Sequence, residues 1–195
     1  MQKLREEYWQ KIKAIKASDL VFIDESGVNL AMTRGQARAI KGERAYGNRP
    51  QQRGKNVTLI AAIALKGLVA QVNLLGAADS LTFEAFIVRY VIPNLWEGAV
   101  VVIDNASIHQ GKYLKPLIEE VRASLEFLPP YSPDFSPIEN CWSKLKSILR
   151  SLAPRTYQEL EQAIVIGFEQ ISLGDIHHWF THCCYCEQPY SQPNS

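Results

Sequence analysis

Three carboxylates stand out for where they sit. Leu20-Val-Phe-Ile-Asp24 and Ala99-Val-Val-Val-Ile-Asp104 are short apolar runs of β-formers, each ending on an aspartate, and Glu139 follows Pro137 by two residues at what reads as a helix start. Hard divalent cations take oxygen ligands, and cleaving a phosphodiester between two such ions about 4 Å apart needs several carboxylates converging on one point. Two neighbouring strand ends and a nearby helix would bring Asp24, Asp104 and Glu139 together as catalytic and metal-binding residues. Asn105 and His109, just beyond Asp104, are candidates to surround the acids, His109 as a contact to a phosphate or a carboxylate or else as a structural histidine. Singly, each acid has a plainer reading: an aspartate closing a strand is often a turn residue, and a glutamate in a first helical turn complements the helix dipole.

The elements that must position these side chains follow from the apolar pattern. Leu4, Tyr8, Ile12 and Ile15 recur at helical spacing, so residues 1–18 read as a lead-in helix. The strand at Leu20 is expected to deliver Asp24 at its C-terminal end. Residues 57–65 and 68–75, parted by Lys66-Gly67, read as a hairpin. A helix is expected over residues 81–90 with Ser80 as its cap, and another over 112–123, bent or delayed by Pro116. Residues 125–128 read as a short strand, and 129–137 as a proline-punctuated loop. From Pro137, with Ser136 as cap, a helix carries the apolar stripe Ile138, Trp142, Leu145, Leu149 and Leu152, while Glu139, Ser143, Lys146 and Arg150 share another face. A last helix, over 157–171, has Thr156 as cap and Glu159 at the capping-box position. This order predicts an α/β chain with a mixed central sheet flanked by helices, the RNase H-like fold being the candidate. The expected division is the lead-in helix over 1–18, one catalytic domain over 19–182, and a flexible tail over 183–195.

Bulk properties exclude more than they assign. The formal net charge is +1, so any nucleic-acid signal must be local. Between residues 34 and 55, Arg34, Arg38, Lys41, Arg44, Arg49, Arg53 and Lys55 are opposed by Glu43 alone; such a run is either an ordinary solvated loop or a DNA contact whose arginines would grip phosphates without reading sequence. Lys146 and Arg150, in line with Glu139, are further candidates for DNA contact. No apolar run approaches the roughly 20 residues of a bilayer span, and the charged start is unlike a signal peptide, so a cytoplasmic protein without membrane partners is expected. The four cysteines, Cys141, Cys183, Cys184 and Cys186, are not spaced as a disulfide framework. With His177, His178 and His182 they also lack the paired spacing of a zinc site.

The motifs carry a resemblance. Leu128-Pro-Pro-Tyr-Ser-Pro-Asp-Phe-Ser-Pro-Ile-Glu-Asn-Cys-Trp-Ser-Lys-Leu-Lys146 closely resembles the signature around the catalytic glutamate of mariner-like DDE transposases, in their bacterial insertion-sequence branch. Val102-Ile-Asp-Asn-Ala-Ser-Ile-His109 looks like that family's second-aspartate motif, and Phe22-Ile-Asp-Glu-Ser26 like its first. Thirty-four residues lie between Asp104 and Glu139, a spacing similar to that branch, and the likeness spans residues 19–182. It implies an RNase H-like fold with two Mg²⁺ or Mn²⁺ ions held by Asp24, Asp104 and Glu139. It also implies strand cleavage by water at transposon ends, followed by strand transfer into target DNA at a TA dinucleotide.

The implied partners are transposon-end and target DNA and a second copy in a homodimer, at the nucleoid. Twenty-three residues precede Asp24, so the helix-turn-helix module that reads the ends in such transposases is expected on a separately encoded part. The alternatives are a general RNase H-like nuclease, and a truncated, non-enzymatic fragment that binds DNA or dimerises with the full-length enzyme and regulates it.

Overall fold

Five strands, β1 (Leu20–Val28), β2 (Val57–Ala64), β3 (Gly67–Leu75), β4 (Val100–Ile103) and β5 (Ser124–Phe127), form one mixed sheet in the order β3-β2-β1-β4-β5. The computed structural model describes residues 2–47, 50–106, 109, 111 and 113–187. β1 is antiparallel to β2 and β2 to β3, whereas β4 and β5 run parallel to β1. Helices are α1 (Gln2–Ile12), α2 (Ser80–Phe86), α3 (Leu114–Glu120), α4 (Pro137–Leu152), α5 (Tyr157–Glu169) and α6 (Leu173–His182).

β4 and the first half of β1, Leu20–Ile23, are apolar at every position because both faces are covered. Along β1 and β4 alternate residues divide between two cores. Leu20, Phe22, Val100 and Val102 pack with Tyr8, Trp142, Leu145, Ile164 and Phe180 on one side. Val21, Ile23, Val101 and Ile103 pack with Phe83, Ile87, Leu114 and Ile118 on the other. α1, α4, α5 and α6 thus cover one face of the sheet, and α2 and α3 the other.

Several expectations shift. β1 does not stop at Asp24; its pairing with β2 continues to Val28 opposite Val57, because antiparallel hydrogen bonding to the hairpin outlasts the apolar run. Asp79, rather than Ser80, caps α2 by accepting from the Thr82 backbone N–H, and the chain then widens into a π turn at Ile87–Val91. α3 starts only at Leu114, with Pro116 in its first turn where no backbone donor is needed. Ser136 stands at the cap of α4, but its side chain makes no capping bond. Leu152 is 46% exposed, because it closes the last turn beyond the sheet. α6 was not anticipated; its signal was the capping box of Ser172 and Asp175, both halves of which form. Residues 183–187, expected as the start of a flexible tail, include a buried Cys183 and a Tyr185 packed on the first core.

Candidate active site

The alternation that builds the two cores also sorts the acidic residues. Asp24 shares the parity of Leu20 and Phe22 and so emerges on the α4 side. Glu25 shares that of Val21 and Ile23 and emerges on the α2 side. The parallel register pairs Phe22 with Val102; two residues further along, Asp24 lies level with Asp104, which leaves β4 one residue past its end. Asp104 has the parity of Val100 and Val102, again the α4 side. Pro137 opens α4, and Glu139 follows as the exposed residue of its first turn.

Asp24, Asp104 and Glu139 accordingly line one cleft of about 390 Å³, with Asn105 and the proline-loop residues Pro129 to Pro133 on its other walls. Burial first, and then the neighbouring Glu139 charge, push the Asp24 carboxyl up to about 7, against the opposing hydrogen bonds from the Glu25 backbone and from Trp142. The latter runs from Trp142 Nε1 to Asp24 Oδ2 at 3.0 Å. Trp142 was expected only in the core stripe of α4; its ring does pack there, but its indole N–H reaches the site.

On the opposite side of the sheet edge, His109 is 1% exposed and joins two of the acids. Its Nδ1 lies 2.5 Å from Asp104 Oδ1 and its Nε2 2.7 Å from Glu25 Oε2, while its ring packs on Phe83 with centroids 4.1 Å apart. Burial alone would lower the imidazole pKa, but the hydrogen bonds to Asp104 and Glu25 outweigh it and raise it to about 10. An imidazolium donating to two carboxylates is the form this geometry favours. His109 in turn holds Asp104 below the usual carboxylate range, with help from the Ala106 backbone N–H. Glu25 therefore supports the site from behind, as its alternate orientation implied, and its second oxygen, Oε1, is buried with no hydrogen-bond partner among the described residues. Among the described residues no three His, Cys, Asp or Glu side chains are close enough as they stand to hold a metal ion, and Asp104 is the acid engaged elsewhere.

The basic segment forms the long connection from β1 to β2. Arg34 and Arg53 line, with Lys146 and Arg150 of α4, a second hollow of about 740 Å³; Lys146 lies two turns beyond Glu139. Arg38, Lys41, Arg44 and Lys55 are exposed elsewhere on the segment, and Arg49 lies outside the described residues. The segment is anchored at its ends. Arg155 Nη1 donates to the Leu30 and Met32 carbonyls, Tyr157 Oη accepts from the Lys55 N–H, and Arg34 Nε donates to Ser151 Oγ.

A family model described as "DDE superfamily endonuclease" matches residues 19–162. By sequence, no curated protein matches the chain. Among solved structures, a Mos1 transposase paired-end complex with the left transposon end is similar at a TM-score of 0.73 and 16% identity, over 93% of this chain and 60% of that one. A mariner Mos1 paired-end complex with Mg gives 0.69 and 16%, over 94% and 59%. The catalytic domain of Mos1 mariner transposase gives 0.66 and 13%, over 93% and 87%. The chain spans about three fifths of the transposase chains in the paired-end complexes. At these identities the likeness is one of fold, and that fold is the RNase H-like arrangement of the strand order 3-2-1-4-5.

Proposed function

The chain belongs to the DDE superfamily of endonucleases, and from that premise we propose that it is a transposase catalytic domain, over residues 19–182, that cleaves and joins DNA strands at transposon ends. The observation that carries this reading is the meeting of Asp24, Asp104 and Glu139, from three separate elements, in one cleft. The bacterial insertion-sequence branch is the finer assignment, supported by the Leu128 to Lys146 stretch.

The donor set suits a hard cation. All three acids offer oxygen, and burial first, then the charge of Glu139, raises the Asp24 pKa to about 7, a cost that a bound cation offsets. Asp24, Asp104 and Glu139 would hold two Mg²⁺ or Mn²⁺ ions; when bound, such ions activate an attacking oxygen and stabilise a leaving one. The protein's own residues do the rest. Trp142 fixes the Asp24 carboxylate by its N–H, and His109, backed by Glu25, fixes the rotamer of Asp104. Arg34, Arg53, Lys146 and Arg150 present cations on which phosphates can rest.

The proposed partners are transposon-end and target DNA, a second copy of the chain, and a separately encoded helix-turn-helix part. No helix among the described residues is long and apolar enough to cross a membrane, and a cytoplasmic site of action at the nucleoid is part of the proposal.

The test is cleavage of DNA carrying the terminal repeats of the element, with Mn²⁺ or Mg²⁺, by wild type and Asp104→Ala, each with and without the separately encoded part. Metal-dependent nicking that falls in the variant by about a thousandfold or more is expected, since Asp104 would contact the reacting centre directly. A folded wild-type chain that binds the ends but never cleaves them would replace this reading with the regulatory fragment.

A further inference from the structure

One arginine on the first helix makes four contacts with the loop that walls the acidic cleft. Arg5 Nη1 donates to Ser132 Oγ at 2.9 Å and to Asp134 Oδ1 at 3.1 Å, and Nη2 donates to Asp134 Oδ2 at 2.5 Å. Its guanidinium also lies 3.9 Å from the centroid of the Phe135 ring. Phe135 is gripped further: Tyr8 stacks on it with centroids 5.7 Å apart, and Trp9 meets it edge-on at 5.0 Å. From the other end of the chain the Tyr185 hydroxyl donates to the Phe135 carbonyl at 2.7 Å and shares a 2.7 Å hydrogen bond with the Tyr8 hydroxyl.

Both grips come from outside residues 19–162, the stretch that matches the family model. They act where the backbone offers little hold of its own. Prolines at 129, 130, 133 and 137 remove four N–H donors from the loop, and Tyr131 takes a left-handed φ of 56°. The backbone bonds within the loop are the turns from Phe135 N to Ser132 O and from Ser136 N to Pro133 O. Such a segment takes its position from side chains that reach it, and a bidentate arginine is the side chain that fixes a carboxylate in both distance and angle. Two residues after Phe135 the helix α4 begins, and Glu139 stands in its first turn.

We propose that α1 is a brace for the active site: Arg5, through Ser132, Asp134 and Phe135, sets where the proline loop ends and therefore where Glu139 stands relative to Asp24 and Asp104. Arg5 is in this sense a positioning residue, and its catalytic consequence rests on the transposase reading above. A displacement of about 1 Å in one carboxylate is enough to cost up to a hundredfold in rate, so the brace matters to chemistry before it matters to folding.

The experiment compares wild type, Arg5→Ala, Asp134→Ala and the double variant. Amide hydrogen exchange over residues 131–136 is read beside kcat and KM for Mn²⁺-dependent cleavage of transposon-end DNA. Each single variant should lower kcat by about tenfold with KM for DNA unchanged. Each should speed exchange in 131–136 while β1 and β4 stay protected, and the double variant should be no worse than either single one, since both remove the same contact. Three outcomes would each overturn the brace: wild-type turnover and loop exchange in Arg5→Ala, additive losses in the double variant, or a raised, salt-dependent KM, which would make Arg5 a phosphate contact instead. Should wild type fail to cleave at all, the transposase reading falls separately. Loop exchange then decides the brace alone, with unchanged exchange in Arg5→Ala counting against it and faster exchange for it.

Discussion

Burial, and then the charge of Glu139, raises the Asp24 carboxyl to about 7. Trp142 Nε1 donates to its Oδ2, so the indole N–H fixes which oxygen turns toward the cleft. Trp142→Phe keeps an aromatic ring in the core but deletes that donor. We expect Mn²⁺ to bind roughly tenfold more weakly to the variant, the scale seen when a partner of a metal ligand is removed. Mn²⁺ titration followed by electron paramagnetic resonance reads this directly, and affinity equal to wild type would show that Trp142 serves packing alone. The sequence made Trp142 legible as a core residue through its 3.6-residue period, but the reach of its N–H to a strand 118 residues away depends on how α4 crosses the sheet.

At the scale of elements, α4 is tied to α6, which shares its face of the sheet. Lys144 donates to Asp175 Oδ2 at 2.5 Å, and the same carboxylate oxygen accepts from the Ser172 N–H and hydroxyl in the capping box of α6. Lys144 foremost, and then Ser172, hold Asp175 down to about 2. A depressed carboxyl pKa stabilises the fold above its unfolded value of about 3.9 and loses that contribution as pH falls through the folded value. The thermal midpoint of Asp175→Asn should therefore lie below that of wild type at pH 7, with the gap closing as pH drops from about 4 to about 2. A gap that persists unchanged at pH 2 would assign the effect to something other than the charge.

Across the whole molecule, positive charge is local rather than global. The net charge is +1, yet Arg34 and Arg53 from the β1–β2 connection meet Lys146 and Arg150 of α4 around one hollow. If phosphates rest there, each lost contact lowers the slope of log affinity against log salt by about 0.9. Replacing Arg34 and Arg150 together by glutamine should weaken DNA binding at low salt and flatten that slope by nearly two, as measured by fluorescence anisotropy across a salt series. An unchanged slope would leave the segment as solvated surface. The joining of these residues from positions 34 and 150 is a property of the folded chain, since neither the loop composition nor the helix face indicates the other.

What the sequence determined by itself was whatever depends on local period and chemistry. Runs of β-branched residues ending in Asp24 and Asp104, the hairpin across Lys66-Gly67, the capping box of Thr156 and Glu159 and the acid two residues after Pro137 all express short-range physics, and with them came the sheet, the candidate triad and the resemblance of its motifs. The tertiary structure decided where strands end and which distant groups meet. β1 runs past Asp24 because its antiparallel partner supplies hydrogen bonds that no apolar pattern announces. Glu25 reaches His109, Trp142 reaches Asp24 and Arg5 reaches Asp134. Those contacts join residues 84, 118 and 129 positions apart, and only the crossing of helices over a twisted sheet brings such residues within hydrogen-bonding distance.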